Sequence, residues 1–196
     1  MINKEIKAIA FDFWGVFAVI NPPMNKYLKE RGVDLSGEQQ EAIHDLIIEH
    51  DLGKINEEQF LKLVSKLVGM EIPYAQCRYL YEEGELDQEL IATVEKLKTK
   101  YKIALLSNNN REYVQEHLYK PGLNKLFDVM VFSYDVGVRK PAPEMYQALI
   151  DKLGLPSQEI LYIDDESDKL PQAEGLGMQT QLYERKNTVQ TLRSFI

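Results

Sequence analysis

Asp12, Ser107, Asn108, Asp164 and Asp165 each follow a short apolar run: "AIAF", "KIALL" and "ILYI". Lys140 stands in "GVRKPAPEMY", just before a rigid Pro-Ala-Pro. These side chains could do phosphoryl chemistry together. A carboxylate such as Asp12 can attack phosphorus and form an aspartyl-phosphate. A hydroxyl (Ser107) and an ammonium (Lys140) can hold the remaining phosphoryl oxygens and stabilise developing charge. Asp12, Asp164 and Asp165 would repel one another at close range, so a shared cation is expected. Carboxylate oxygens suit Mg²⁺, which binds through few protein ligands plus a substrate phosphate. Taken singly, each residue has a plainer reading. Asp12 and the acid pair could be turn formers or helix caps, "SNNN" could cap the next helix, and Lys140 could be a solvated loop lysine. It is the conjunction that points to a site.

That conjunction requires elements that bring the groups to one place. Buried strands are expected at Ile6–Phe11, Lys102–Leu106, Val129–Phe132 and Ile160–Ile163, with a weaker one at Met178–Tyr183. Helical patterns lie between them, at Glu89–Lys98, Arg111–Leu118, Glu144–Leu153 and Lys169–Leu176. Strands alternating with helices of this length imply βαβ units and a parallel sheet. Right-handed crossovers then put every strand's C-terminal end on one edge, where ligands bind in open α/β sheets. The fold class is therefore α/β, a Rossmann-like parallel sheet flanked by helices. Residues 22–87 break the pattern with helical periodicity alone: "NKYLKERG", "SGEQQEAIHDLIIEH", "NEEQFLKLVSKLVG" and "IPYAQCRYLYEEG". Ser36 and Asn56 are expected N-caps, Gln39 completes a capping box, and Gly53 and Gly69 are expected stops. The organisation expected is a core of residues 1–21 and 88–196 with a helical cap subdomain at 22–87.

Composition narrows the partners. The chain has 196 residues, 44% hydrophobic and 28% charged, as an ordinary globular protein does. Its formal net charge of -8 argues against nucleic acid, which needs a basic face. A local cation still allows a small phosphorylated substrate. The single cysteine, Cys77, excludes an internal disulfide and fits a reducing compartment. Lys4 and Lys7 precede an apolar run, but Asp12 interrupts it and no small-residue cleavage site follows before Asn21. No segment approaches the ~18 apolar residues of a membrane span. The expected location is cytoplasmic.

In order along the chain, "FDFWGV", "LLSNN", "VRKPAPEMY" and "YIDDESDKLPQAEGLGM" resemble the four motifs of the haloacid dehalogenase-like (HAD) hydrolase superfamily. The resemblance spans the whole chain and places residues 22–87 where that family inserts a small helical cap. It implies that Asp12 is the nucleophile and that Ser107 and Lys140 bind the phosphoryl group. It also implies Mg²⁺ held by Asp12, Asp165, a supporting Asp164 and the backbone carbonyl of Trp14. Trp14 and Asn108 are placed against the substrate. Two positions depart from the family pattern. Its phosphatases usually carry a second aspartate, the general acid and base, two residues after the nucleophile. Here that residue is Trp14, whose indole donates hydrogen bonds but cannot shuttle a proton at neutral pH. Lys169 stands where Asp or Asn is common, close enough in sequence to neutralise the acid pair.

The leading reading is a Mg²⁺-dependent phosphatase for a small phosphorylated metabolite, slowed by the missing proton shuttle. The alternative is a catalytically reduced binding or regulatory protein on the same fold. A 2-haloacid dehalogenase, which uses the same aspartate on carbon without a metal, fits the aromatic Trp14 and Tyr146 but leaves the acid pair without a role. Substrate choice is assigned to the cap, with His50, Lys54, Tyr74, Tyr79 and Tyr81 as candidates. For His44 and His50 the plainer expectation is a solvated helix face, and for the tyrosines packing on the core.

Overall fold

A computed structural model describes residues 5–18, 23–73 and 86–196. The expected helix over "IPYAQCRYLYEEG", with Tyr74, Cys77, Tyr79 and Tyr81, lies outside the described residues almost entirely. Five parallel strands form one sheet: β1 (Ala8–Phe11), β2 (Lys102–Ser107), β3 (Val129–Phe132), β4 (Ile160–Asp164) and β5 (Gln179–Leu182), in the order β3-β2-β1-β4-β5. β1 is central, pairing Phe11 with Leu105 of β2 and with Ile163 of β4. The expected strands are all present. Only their ends shift, and Ile6 and Lys7 precede β1 without joining it.

Strand alternation sorts the core into two layers. Ile9, Phe11, Ile103, Leu105, Leu161 and Ile163 face one side, packed with α4 (Gln88–Leu97) and α9 (Arg185–Arg193). Ala8, Ala10, Ala104, Leu106, Ile160 and Tyr162 face the other, packed with α7 (Pro143–Leu153) and α8 (Leu170–Gly175). The alanines keep the second layer thin enough for Tyr146 and Tyr162 to fit beneath the helices, edge to face with centroids 5.6 Å apart. α5 (Arg111–Val114) continues as a π turn over Gln115–Tyr119, and a one-turn helix, α6 (Ser133–Val136), follows β3.

Between β1 and α4 come α1 (Pro23–Glu30), α2 (Gly37–Asp51) and α3 (Glu57–Val68). Both expected N-caps form; Ser36 makes its expected capping box with Gln39, and Asn56 makes one with Gln59 as well. Gly53 and Gly69 both take left-handed φ, as chain reversal after a helix demands. The three helices bury a cluster of their own: Leu28, Ile43, Phe60, Leu61, Val64 and Ile72. No helix among the described residues is long and apolar enough to cross a membrane.

The α2–α3 turn rests on the sheet's C-terminal edge. Here one expectation needs correction. His50 is buried, not solvated; its ring stacks on Phe60 at 5.1 Å and its Nε2 meets Glu112 at 3.3 Å. His44 is exposed, as expected. Asp51 is buried too, paired with Arg139 at 3.2 Å, and its carbonyl accepts from Ser133 Oγ at 2.6 Å. The Ser133 contact uses a carbonyl that the helix C-terminus leaves unpaired; the His50 and Asp51 side chains make the other two.

Candidate active site

Because the strands are parallel, the groups that follow them meet on one edge. The Asp12 amide donates to the Ile163 carbonyl at 2.9 Å, which sets Asp12 one step beyond β1 and alongside Asp164. Asp12, Asp164 and Asp165 each bring a carboxylate oxygen within 4.8 Å of the others. Lys140 enters from the loop between α6 and α7. Its Nζ lies 2.8 Å from Asp12 Oδ1, 2.8 Å from Asp164 Oδ2 and 3.0 Å from the Tyr162 hydroxyl. It is 5% exposed, which rules out the solvated-loop reading.

Ser107 ends β2 with its Oγ buried and without a hydrogen-bond partner among the described residues. A buried hydroxyl left unpaired costs free energy unless something else fills the position. Asn108 is turned to a different task. Its Oδ1 accepts from the Lys140 amide at 2.8 Å and its Nδ2 donates to the Lys140 carbonyl at 3.3 Å, so the side chain ties the Lys140 backbone to β2. The helix-cap reading of "SNNN" holds for Asn110 alone, which accepts from the Tyr113 amide at 2.8 Å. Trp14 is half-buried, its ring 4.5 Å from Tyr113 and 5.6 Å from Phe13.

The electrostatics favour a cation. The Asp12 carboxyl is raised from 3.8 to about 7: burial is the main cause, opposed by Lys140 and reinforced by Asp164. Burial, then the neighbouring Asp164 charge, also raises Asp165. Burial works to lower the Lys140 pKa, but Asp12 and Asp164 outweigh it and hold the ammonium above its usual range. Three acids thus face one base, and a divalent ion is the ordinary remedy for such a surplus. The hard oxygen donor set fits Mg²⁺. Lys169 pairs elsewhere: its Nζ meets Asp168 at 2.8 Å and Glu166 at 3.2 Å, and among the described residues it makes no ion pair with Asp164 or Asp165.

Two participants escaped sequence reasoning. Gly15 has φ +74°, and a Cβ there would lie 1.9 Å from Asp165 Oδ2. Its missing side chain is the space that Asp165 occupies. The signal was the glycine within "FDFWGV" itself, readable as a close approach once its partner is known. Tyr162 reads as one more apolar strand residue, and only the fold shows its hydroxyl among the charges.

A family model described as haloacid dehalogenase-like hydrolase matches residues 6–177. The chain belongs to the HAD-like hydrolases. Among relatives, it is 28% identical over 188 residues to D-ribitol-5-phosphate phosphatase of Bacteroides thetaiotaomicron, covering 89% of this chain and 90% of that one. It is 25% identical to phosphoglycolate phosphatase of Yersinia pestis, covering 89% and 79%. A shorter match, 32% over 101 residues, reaches (S)-2-haloacid dehalogenase 4A of Burkholderia cepacia, with 51% and 44% covered. Among solved structures, a HAD family enzyme of B. thetaiotaomicron in complex with magnesium and inorganic phosphate superposes with a TM-score of 0.78 at 21% identity, covering 91% and 94%. A HAD-like family hydrolase from Porphyromonas gingivalis gives 0.79 at 25% identity, covering 96% and 98%. As a HAD-like hydrolase with phosphatase relatives matched over most of their length, this protein is an enzyme of that class.

Proposed function

We propose that the protein is a Mg²⁺-dependent phosphatase acting on a small phosphorylated metabolite, with Asp12 as nucleophile and residues 22–87 as a helical cap over the site. The observation that carries this reading is the meeting of Asp12, Lys140, Asp164, Asp165 and Ser107, whose Oγ has no partner among the described residues, at one edge of the sheet. Asp12 attacks phosphorus, the bond to the leaving oxygen breaks, and that oxygen departs with the electron pair. Water then attacks the aspartyl-phosphate, releasing inorganic phosphate and restoring the carboxylate. Ser107 Oγ and Lys140 Nζ hold the phosphoryl oxygens. One Lys140 N–H must exchange a present acceptor for phosphate, because an ammonium has three donors and Asp12, Asp164 and Tyr162 engage them. Asp12, Asp165, the Trp14 carbonyl and a supporting Asp164 would hold Mg²⁺, whose chemistry is to neutralise charge on the phosphoryl group.

Trp14 shapes the substrate range. Without an acid at that position the leaving oxygen departs as an anion, so aryl and acyl phosphates are turned over faster than sugar or alkyl phosphates. The direct test is Asp12→Asn, an amide of nearly the same shape that cannot attack. Turnover of p-nitrophenyl phosphate should vanish while the melting curve stays cooperative. Wild-type turnover in that variant would move the activity to another residue.

A second reading, displacement of halide from carbon by Asp12, is favoured by the aromatic Trp14 and the partial dehalogenase match. It needs no cation and leaves the acid surplus unexplained. Halide release from 2-chloropropionate, unaffected by chelator, would establish it over the phosphatase.

A further inference from the structure

We infer that the Tyr162 hydroxyl is a positioning group for this site, fixing the Lys140 ammonium and the Asp164 carboxylate relative to each other from inside the core. The inference rests on the phosphatase reading for its kinetic consequence, but not for its effect on metal binding.

Strand alternation turns Tyr162 into the layer with Ala8, Ala10, Leu106 and Met145, and its residue exposure is 0%. A phenylalanine would meet every packing need there. Burying a phenol oxygen is unfavourable unless it is hydrogen-bonded, so this hydroxyl is explained by its partners. It donates to Asp164 Oδ2 and accepts from Lys140 Nζ at 3.0 Å. Asp164 is thereby held at both oxygens, since Oδ1 accepts from the Glu166 amide at 2.9 Å. Lys140 is held by three acceptors, of which Tyr162 is the neutral one. Deleting the hydroxyl leaves Asp164 Oδ2 with the ammonium alone and lets the flexible lysine stem share its donors between Asp12 and Asp164 in more than one geometry. Residues that orient ligand side chains in this way commonly matter ~10–100-fold for metal affinity or activity.

Tyr146 provides the control. It is the other half of the same aromatic pair, but its hydroxyl donates to the Lys169 carbonyl at 2.8 Å and to neither charged group. The experiment compares Tyr162→Phe with Tyr146→Phe in the full chain, measuring Mg²⁺ binding by calorimetry, inhibition by inorganic phosphate, kcat and KM for p-nitrophenyl phosphate, and melting in chelator. Tyr162→Phe should fold, weaken Mg²⁺ and lower kcat, each by ~10–100-fold, and weaken phosphate inhibition; Tyr146→Phe should do none of these. In an Asp164→Asn background, Tyr162→Phe should cost little further Mg²⁺ affinity, because contacts through one partner do not add. Wild-type Mg²⁺ binding in Tyr162→Phe overturns the inference. So do equal losses in Tyr146→Phe, fully additive losses with Asp164→Asn, or a Tyr162→Phe chain that fails to fold in chelator. If Asp12→Asn keeps its turnover, the phosphatase reading falls while the Mg²⁺ comparison still decides the role of Tyr162.

Discussion

Two regions of this molecule bury charge, and they do so on opposite terms. Where the α2–α3 turn meets the sheet edge, each buried acid or base has a protein partner: Asp51 pairs with Arg139, and His50, which burial holds toward its neutral form, meets Glu112. At the strand ends the count does not balance, with Asp12, Asp164 and Asp165 around Lys140 and the Ser107 hydroxyl at the same edge without a partner among the described residues. Matched pairs close an interface. A surplus of like charge marks a place where something from outside completes the set. The exposed acids Glu166 and Asp168, which flank the half-buried Lys169, show that acids alone teach little, since solvent and one lysine accommodate them.

The largest expected gain comes from adding an acid to the unbalanced region. Trp14→Asp should restore a proton shuttle and raise turnover of alkyl and sugar phosphates by much of the ~10²–10⁴ that general acid catalysis supplies. The kcat/KM for p-nitrophenyl phosphate should change far less, because its leaving group needs no proton and kcat/KM does not include hydrolysis of the aspartyl-phosphate common to both substrates. A wild-type enzyme that already hydrolyses both classes equally fast, with chemistry rate-limiting, would place the proton donor elsewhere.

Next is the space that the surplus requires. Gly15→Ala forces a methyl into the position of Asp165 Oδ2 and onto a backbone with φ +74°. Mg²⁺ affinity by calorimetry should fall by at least the ~10-fold typical of a disturbed ligand shell, with a loss of stability on the order of 1 kcal/mol from the left-handed backbone. Unchanged affinity would mean that Asp165 is not a ligand.

The smallest effect belongs to the matched region and should appear in stability rather than turnover. Burial raises Asp51 from 3.8 to about 6, against the pull of Arg139. A carboxyl whose folded pKa is raised binds its proton more tightly in the native state, so its contribution falls as pH rises from about 4 through 6. Asp51→Asn should remove that decline. The neighbouring His50 works in the other direction: burial lowers it despite Glu112 and Glu57, so its contribution is lost as pH falls below 6.5. Comparing wild type with Asp51→Asn at matched pH cancels the histidine. The melting temperature of wild type relative to the variant should drop between pH 4 and pH 7, and a pH-independent difference would contradict the assignment.

The sequence made the sheet legible because buried parallel strands are short apolar runs with polar stops, and "AIAF" and "ILYI" need no other context. The charged groups at those stops were equally visible. α9 was not anticipated: "RKNTVQTLR" is mostly polar, and its buried face is only Thr188, Val189 and Leu192. Partners distant in sequence were also hidden. Nothing local to His50 announces Glu112, and nothing in "ILYI" separates Tyr162 from a phenylalanine until the β4 register carries its hydroxyl to Lys140. Gly15 was visible as a letter but not as a space, because an absent Cβ has meaning only beside Asp165. The site was legible where chemistry sits at strand ends and obscure where it depends on what lies behind them.

The central claim is that Asp12 accepts a phosphoryl group within a cation-dependent site. A crystal structure grown with Mg²⁺ and beryllium fluoride tests it most directly. The account predicts a trifluoroberyllate bonded to an Asp12 carboxylate oxygen, contacts from Ser107 Oγ and Lys140 Nζ to its fluorines, and Mg²⁺ against Asp12 and Asp165. A structure from the same crystals with Asp12 unmodified, its pairing with Lys140 intact and no ion among the three acids would contradict it.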